Sequence, residues 1–202
     1  MTATTSPKTM EALRQAFKLG NRLMLLLWRL GLGPMVNAAP DSGGQIMVLT
    51  HTGRRSGLPR RTPINYAIID NDIYCTAGFG RGSDWYRNIL ARPDVEVWLP
   101  EGWWQGVAED ISTSPRRLPL LREVIRASGF AGRLVGLDAE HMPDSNFAAE
   151  TAPYRLIRIR RTVPRTGPGG PGDLVWVWPW LTGGLAIAVA AVLLRRPARS
   201  QT

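Results

Sequence analysis

The run from Ile46 to Ala77, I-M-V-L-T-H-T-G-R-R-S-G-L-P-R-R-T-P-I-N-Y-A-I-I-D-N-D-I-Y-C-T-A, decides the fold. It holds three apolar stretches rich in β-branched residues, Ile46 to Thr50, Thr62 to Asp70 and Ile73 to Ala77, separated by turn formers. Such stretches bounded by Gly, Pro, Asn and Asp read as strands. Asp70-Asn71-Asp72 is a tight-turn signal, so the second and third strands form a hairpin. Further out, Val95 to Leu99, Trp103 to Asp110 and Tyr154 to Arg161 repeat the pattern, with Pro100-Glu101-Gly102 joining the first two of these. Short strands linked by hairpins predict an antiparallel barrel or sandwich, and no strand–helix–strand alternation supports a doubly wound nucleotide fold.

Helices are fewer. Ser6-Pro7 starts a basic amphipathic helix over Thr9 to Leu30, with Leu13, Phe17, Met24 and Leu27 on one side and Arg14, Lys18, Arg22 and Arg29 on another. Ser83 is placed to cap a short helix that runs to Arg92 and stops at Pro93. A third helix opens at Ser114-Pro115 and ends near Ala127.

The turn between the first two strands concentrates the binding chemistry. Arg54, Arg55, Arg60 and Arg61 fall close together, and Gly53 and Gly57 let the backbone bend between them. Guanidinium groups and backbone N–H groups converging in this way suit a phosphate or carboxylate. A second feature follows the third strand: A-G-F-G-R-G-S-D-W-Y-R-N, Ala77 to Asn88. Gly78, Gly80, Arg81 and the helix start at Ser83 make another anion-compatible surface, and Trp85 or Tyr86 could stack on a planar ligand. The run is neither a G-x-G-x-x-G fingerprint nor a phosphate-binding P-loop. Together the two features would hold the two ends of one elongated, planar, anionic cofactor.

The bulk composition limits the alternatives. With 202 residues, 25 Lys and Arg against 16 Asp and Glu, and a net charge of +9, the chain has room for one domain with a core plus tails. The excess charge fits anionic ligands or lipid, but no nucleic-acid motif accompanies it, so no nucleic-acid partner is expected. A lone Cys75 in an apolar run reads as a small buried hydrophobe, and His51 and His141 lack metal-ligand spacing. No metal site is expected.

The C-terminal part reads differently. Gly167 to Gly172 is a Gly/Pro linker, and Leu174 to Leu194 contains no charged residue. At ~1.5 Å per residue that stretch would extend about 31 Å, the thickness of a bilayer core. Trp176, Trp178 and Trp180 at one end and Arg195 and Arg196 at the other predict a single membrane span. The basic residues before it place the main domain on the cytoplasmic face of the cell membrane. The expected organisation is an N-terminal tail, helix and loop over 1–44, a barrel over 45–165, a linker over 166–173, a span over 174–194 and a basic tail over 195–202.

At the two binding features the sequence resembles the deazaflavin (F-420)-dependent nitroreductases, also called F-420-dependent quinone reductases. The carrying motifs are V-L-T-H-T-G-R-R-S-G-L-P-R-R-T-P, Val48 to Pro63, and S-D-W-Y-R-N-I-L-A-R-P-D-V-E-V, Ser83 to Val97. The match in register covers Ile46 to Ile111 and resumes over Tyr154 to Arg160. The resemblance implies a mainly β, α+β fold: a split β-barrel like that of the FMN-binding oxidoreductases, with the N-terminal and C-terminal helices added. It implies coenzyme F-420 as hydride donor, with FMN the less favoured cofactor.

Residue by residue, Arg54, Arg55, Ser56 and Gly57 match the family's cofactor-phosphate turn, and Arg60 and Pro63 the positions after it. Ala77, Gly78, Phe79, Gly80 and Arg81 match the loop beside the deazaflavin, Trp85 the tryptophan near the ring, and Tyr86 and Asn88 its neighbours. Members that activate nitroimidazoles use tyrosines before the last strand. Pro119 to Asn146 contains none here, which implies an acceptor pocket built otherwise. Tyr66 and Tyr86 are candidate proton donors to a reduced acceptor. The implied partners are a quinone, enone or similar hydride acceptor, with menaquinone a candidate, membrane lipid, and a second copy in a homodimer. The competing reading is a non-catalytic barrel that carries flavin, haem or lipid.

Overall fold

The computed structural model describes residues 19–38, 43–129, 132 and 136–194. A helix α1 over 19–29 precedes a single turn α2 (Gly33–Val36), then strands β1 (Ile46–Thr52), β2 (Pro59–Ile69) and β3 (Asp72–Ala77). A 3-10 turn (Gly80–Gly82) leads into α3 (Asp84–Ala91), β4 (Asp94–Leu99), β5 (Gly102–Asp110), α4 (Arg117–Ala127), α5 (Asp144–Glu150), β6 (Arg155–Arg165) and α6 (Val177–Leu194). The strands close into an antiparallel barrel in the order β1-β2-β3-β6-β5-β4, the split-barrel architecture expected. The first half of the predicted N-terminal helix, residues 9–18, lies outside the described residues, as do 1–8 and 195–202.

Side-chain alternation builds the barrel. Met47 and Leu49 point into a core with Ile64, Tyr66, Ile73, Cys75, Val97, Ile157 and Ile159. Their neighbours point out and are covered in two places. Val48 and Trp98 pack with Trp103 beneath Trp28 of α1. Tyr74 and Leu156 pack against Leu120, Leu121, Val124 and Ile125 of α4 and Phe147 of α5. A period of two therefore feeds one interior and two outer layers. Cys75 is fully buried and burial pushes its thiol up to about 12, in keeping with its reading as a small hydrophobe. The β2–β3 turn has Asp70 at φ 50° and Asn71 at φ 69°, the paired left-handed geometry that matches strand twist.

The C-terminal stretch overturns the membrane expectation. Among the described residues no helix is long and apolar enough to cross a membrane. Leu174 to Trp176 are not helical: the Leu174 N–H donates to the Arg29 carbonyl at 2.8 Å, and α6 begins only at Val177. The Trp178 indole N–H donates to the Leu30 carbonyl at 3.0 Å, tying the start of α6 to the end of α1. The predicted span and cytoplasmic-membrane location are therefore corrected, and the lipid partner inferred from them has no support.

The Gly/Pro stretch before α6 is laid on the barrel. Arg61 donates to the Gly169 carbonyl at 2.6 Å, Gly172 to the Trp28 carbonyl at 3.0 Å, and Arg29 pairs with Asp173 at 2.9 Å.

Candidate functional site

The arginine turn is the tip of the β1–β2 hairpin. Its backbone closes through Gly53 N–H to the Leu58 carbonyl at 2.9 Å and Gly57 N–H to the Gly53 carbonyl at 2.8 Å. Gly57 sits at φ 68°, a left-handed conformation that side chains resist. A side chain at Gly53 would meet Ser56 Oγ at 2.6 Å and Arg60 Nε at 2.9 Å. The two glycines thus make a turn tight enough to bring Ser56 and Arg60 over its own backbone.

The turn folds against the start of α3. Gly53, Arg54, Arg55, Ser56 and Arg60 line a cavity of about 190 Å³ with Asp84 and Asn88. Both Arg54 terminal nitrogens donate to Asp84 Oδ1 at 3.1 Å. The Arg54 backbone N–H and Nη1 also donate to Asn88 Oδ1, at 3.1 and 3.0 Å. Behind Asn88 lies His51, 3 % exposed, whose Nδ1 accepts from Asn88 Nδ2 at 3.1 Å. Its Nε2 stands 3.1 Å from Thr62 Oγ1. Burial, reinforced by the Arg60 charge and opposed by Asp84, lowers His51 to about 4, so the ring is neutral. A neutral ring accepting at Nδ1 carries its proton on Nε2, which donates to Thr62.

The remaining cavity cations are less committed. Arg55 and Arg60 make no ion pair among the described residues, and the N–H groups of Arg55 and Ser56 make no hydrogen bond there. Two open guanidinium groups and two open N–H groups in a polar cavity form a donor set for an oxyanion. Arg61 is not part of it: its guanidinium lies 4.7 Å over the Trp98 ring on the outer face. Pro63 pairs with Val48 inside β2 and sits behind the turn rather than in the cavity lining.

The glycine-rich loop reaches α3 from the other side. Ala77 is buried at the end of β3, Gly78 faces the Tyr154 ring, and Gly80 packs against the Pro153 carbonyl, where a side chain would clash at 2.4 Å. Phe79 is 65 % exposed and Arg81 is exposed. Ser83 stands at the N-cap of α3 but its hydroxyl makes no cap bond. Trp85 is half-buried against the barrel core and meets Tyr86 edge-on with centroids 6.5 Å apart.

Neither candidate proton donor lines the cavity. Tyr66 is inside the barrel, and burial, helped by Glu101, pushes its hydroxyl up to about 12. Tyr86 donates to Asp110 Oδ2 at 2.5 Å. Burial and that bond raise Tyr86; Asp110, which burial alone would raise, is held low by bonds from Ser112 and Tyr86. The pair fastens α3 to the end of β5.

Four contributors carry no local sequence signal of their role. Asp84 and His51 are polar residues within the two motif stretches, and Thr62 begins the second predicted strand. Arg92, at the end of α3, brings Nη1 to 3.9 Å from the position a Gly57 side chain would take. Thr62 reaches His51 across the β1–β2 hairpin, whereas the contacts of Asp84, Asn88 and Arg92 with the hairpin form only when β1 closes onto α3.

Comparison with known proteins places these residues in context. Residues 32–134 match the family model described as F420H(2)-dependent quinone reductase. An F420H(2)-dependent quinone reductase of Mycobacterium tuberculosis is 36% identical over 70 residues, covering 33% of this chain and 44% of that protein. The chain thus spans less than half the length of the curated relatives it matches. Among solved structures, an F420 reductase shares 21% identity over 64% of this chain and 94% of its own, at TM-score 0.42. A haem storage protein from Vibrio cholerae shares 11% identity over 66% and 90%, also at TM-score 0.42.

Proposed function

From the premise that the chain belongs to the F420H(2)-dependent quinone reductase family, we propose that it is an F-420-dependent oxidoreductase that reduces a quinone, enone or similar acceptor. The observation that supports this most is the cavity of Arg54, Arg55, Ser56 and Arg60, where, among the described residues, two arginines and two backbone N–H groups remain open to an anion. A cofactor with a phosphate and an acidic tail fits such a donor set.

Arg55 and Arg60 bind the phosphate end, Arg54 and Gly57 shape the turn, and Arg92 adds positive potential from behind it. Ala77, Gly78, Phe79, Gly80 and Arg81 form the wall toward the ring. Trp85, half-buried and fixed by Tyr86 on Asp110, limits the space there. When bound, the reduced deazaflavin supplies a hydride, and a quinone takes up that hydride and one proton to become the quinol. The chain's part is to position both reactants and exclude water, which agrees with a cavity built from binding groups rather than from a catalytic dyad. No proton-donor role is assigned to Tyr66, which is closed inside the barrel. The residue boundaries 45–165 remain our proposal for the unit that carries this activity, and a homodimer is its proposed assembly.

The test is a fluorescence titration of the full chain with F-420 and, separately, FMN, followed by stopped-flow oxidation of the reduced deazaflavin by menadione. Tight binding of F-420 but not FMN, with menadione-dependent oxidation, supports the proposal. Retention of FMN alone would replace it with a flavin-binding reading.

A further inference from the structure

Resting on the cofactor reading above, we propose that Asn88 and His51 are positioning residues: they lock the arginine turn in its anion-receiving shape and do not themselves touch the anion. The lock is a continuous chain of hydrogen bonds. Thr62 Oγ1 accepts from His51 Nε2, His51 Nδ1 accepts from Asn88 Nδ2, and Asn88 Oδ1 accepts from both the backbone and the side chain of Arg54. It crosses three elements, β2, β1 and α3, and ends on the residue beside Arg55.

Burial makes the chain specific. His51 is 3 % and Asn88 2 % exposed, so neither can exchange its partners for water. An amide flip would present N–H groups to the two Arg54 donors and a carbonyl to a lone pair on His51, breaking all three Asn88 bonds. Protonated His51 would aim an N–H at the Asn88 N–H and break the same link. The charged groups facing His51 are Arg60 on the neighbouring strand and Asp84 on α3; burial and Arg60 resist protonation and Asp84 only partly favours it. Polar, buried and singly oriented, the chain fixes the Arg54 main chain at the turn's entrance. The positions of the Arg55 and Ser56 N–H groups follow from it.

Two measurements on the full-length protein test this. The first is ¹⁵N NMR of the imidazole nitrogens in the unliganded wild type. The expected result is an unprotonated Nδ1 and a protonated Nε2 at His51 from pH 8 down to pH 5. Protonation on Nδ1 would overturn the lock, and this readout needs no variant or cofactor. The second compares binding of F-420 with that of the phosphate-free deazaflavin riboside, in wild type and in Asn88→Ala and His51→Phe.

The lock predicts that each variant weakens F-420 by about 10-fold or more, the loss expected for a bond that organises charged donors, and leaves the riboside near its wild-type affinity. Asn88→Asp, which keeps the acceptor for Arg54, should recover part of the F-420 affinity. Equal weakening of both ligands would mean a merely structural role and overturn the proposal, as would unchanged F-420 binding. If wild type binds neither compound, the cofactor reading fails, and the nitrogen signals still decide whether the lock exists.

Discussion

Arg60 and Arg61 are neighbours in the chain and lie on opposite faces of β2. Arg60 lines the turn cavity, whereas Arg61 stacks 4.7 Å over Trp98 and donates to the Gly169 carbonyl at 2.6 Å. Strand alternation dictates the separation, and it predicts separable effects. Arg60→Ala should weaken F-420 binding by about 10-fold or more, as for a charged hydrogen bond worth ~1.5–3 kcal/mol, with little change in thermal stability. Arg61→Ala should leave cofactor affinity alone and destabilise the fold by about 0.5–1 kcal/mol. Titration and thermal melts on the two variants check this; matching effects on affinity would contradict it.

His51 gives a pH signature. Its pKa is lowered from 6.5 to about 4 in the fold. The unfolded chain therefore takes up this proton first, so the stability tied to neutral His51 is complete above about 6.5. It drains away as pH falls through about 4. Denaturant melts should show stability declining across that window, and His51→Gln should flatten the decline. An identical slope in both proteins would show that other groups cause it.

Gly57 at φ 68° should not accept a side chain freely. Gly57→Ala is expected to cost about 1–2 kcal/mol and to relax the turn. Chemical denaturation would measure the loss, and the same variant should bind F-420 more weakly even where it is fully folded.

The Arg29–Asp173 pair, with its bidentate contacts of 2.9 to 3.2 Å, pins the Gly/Pro stretch beside α1. Half-exposed pairs contribute only about 0–1 kcal/mol, so Asp173→Asn should hardly shift the melting temperature. It should instead speed limited proteolysis within residues 166–173. Unchanged cleavage would show that the Gly169 and Gly172 contacts hold this stretch unaided.

The sequence made the barrel legible because its signals are local. Ile46, Thr62, Ile73, Val95 and Trp103 all opened predicted strands within a few residues of their observed ends. Asp70-Asn71 announced its own hairpin geometry. The arginine turn was also legible, since Gly53 and Gly57 mark it and the alternation of β2 separates Arg60 from Arg61. Long-range features were not. Nothing local ties His51 to Asn88, or Asp84 to Arg54, because those contacts exist only after β1 closes against α3. Helix α5 went unread because its only buried residue is Phe147, too little for a periodic pattern. The C-terminal stretch misled for a related reason. Its uncharged run matched a span by length, but Leu174 is drawn into a backbone hydrogen bond with Arg29 of α1, which no hydropathy pattern encodes.

The most direct measurement is the affinity of the purified full-length protein for F-420, set beside that of the Arg55→Ala/Arg60→Ala double variant, with folding of both verified by circular dichroism. The account predicts saturable one-to-one binding by the wild type and a loss of at least about 100-fold in the variant, as expected when two charged contacts are removed. Equal affinity in the two folded proteins, or no binding by the wild type, would contradict it.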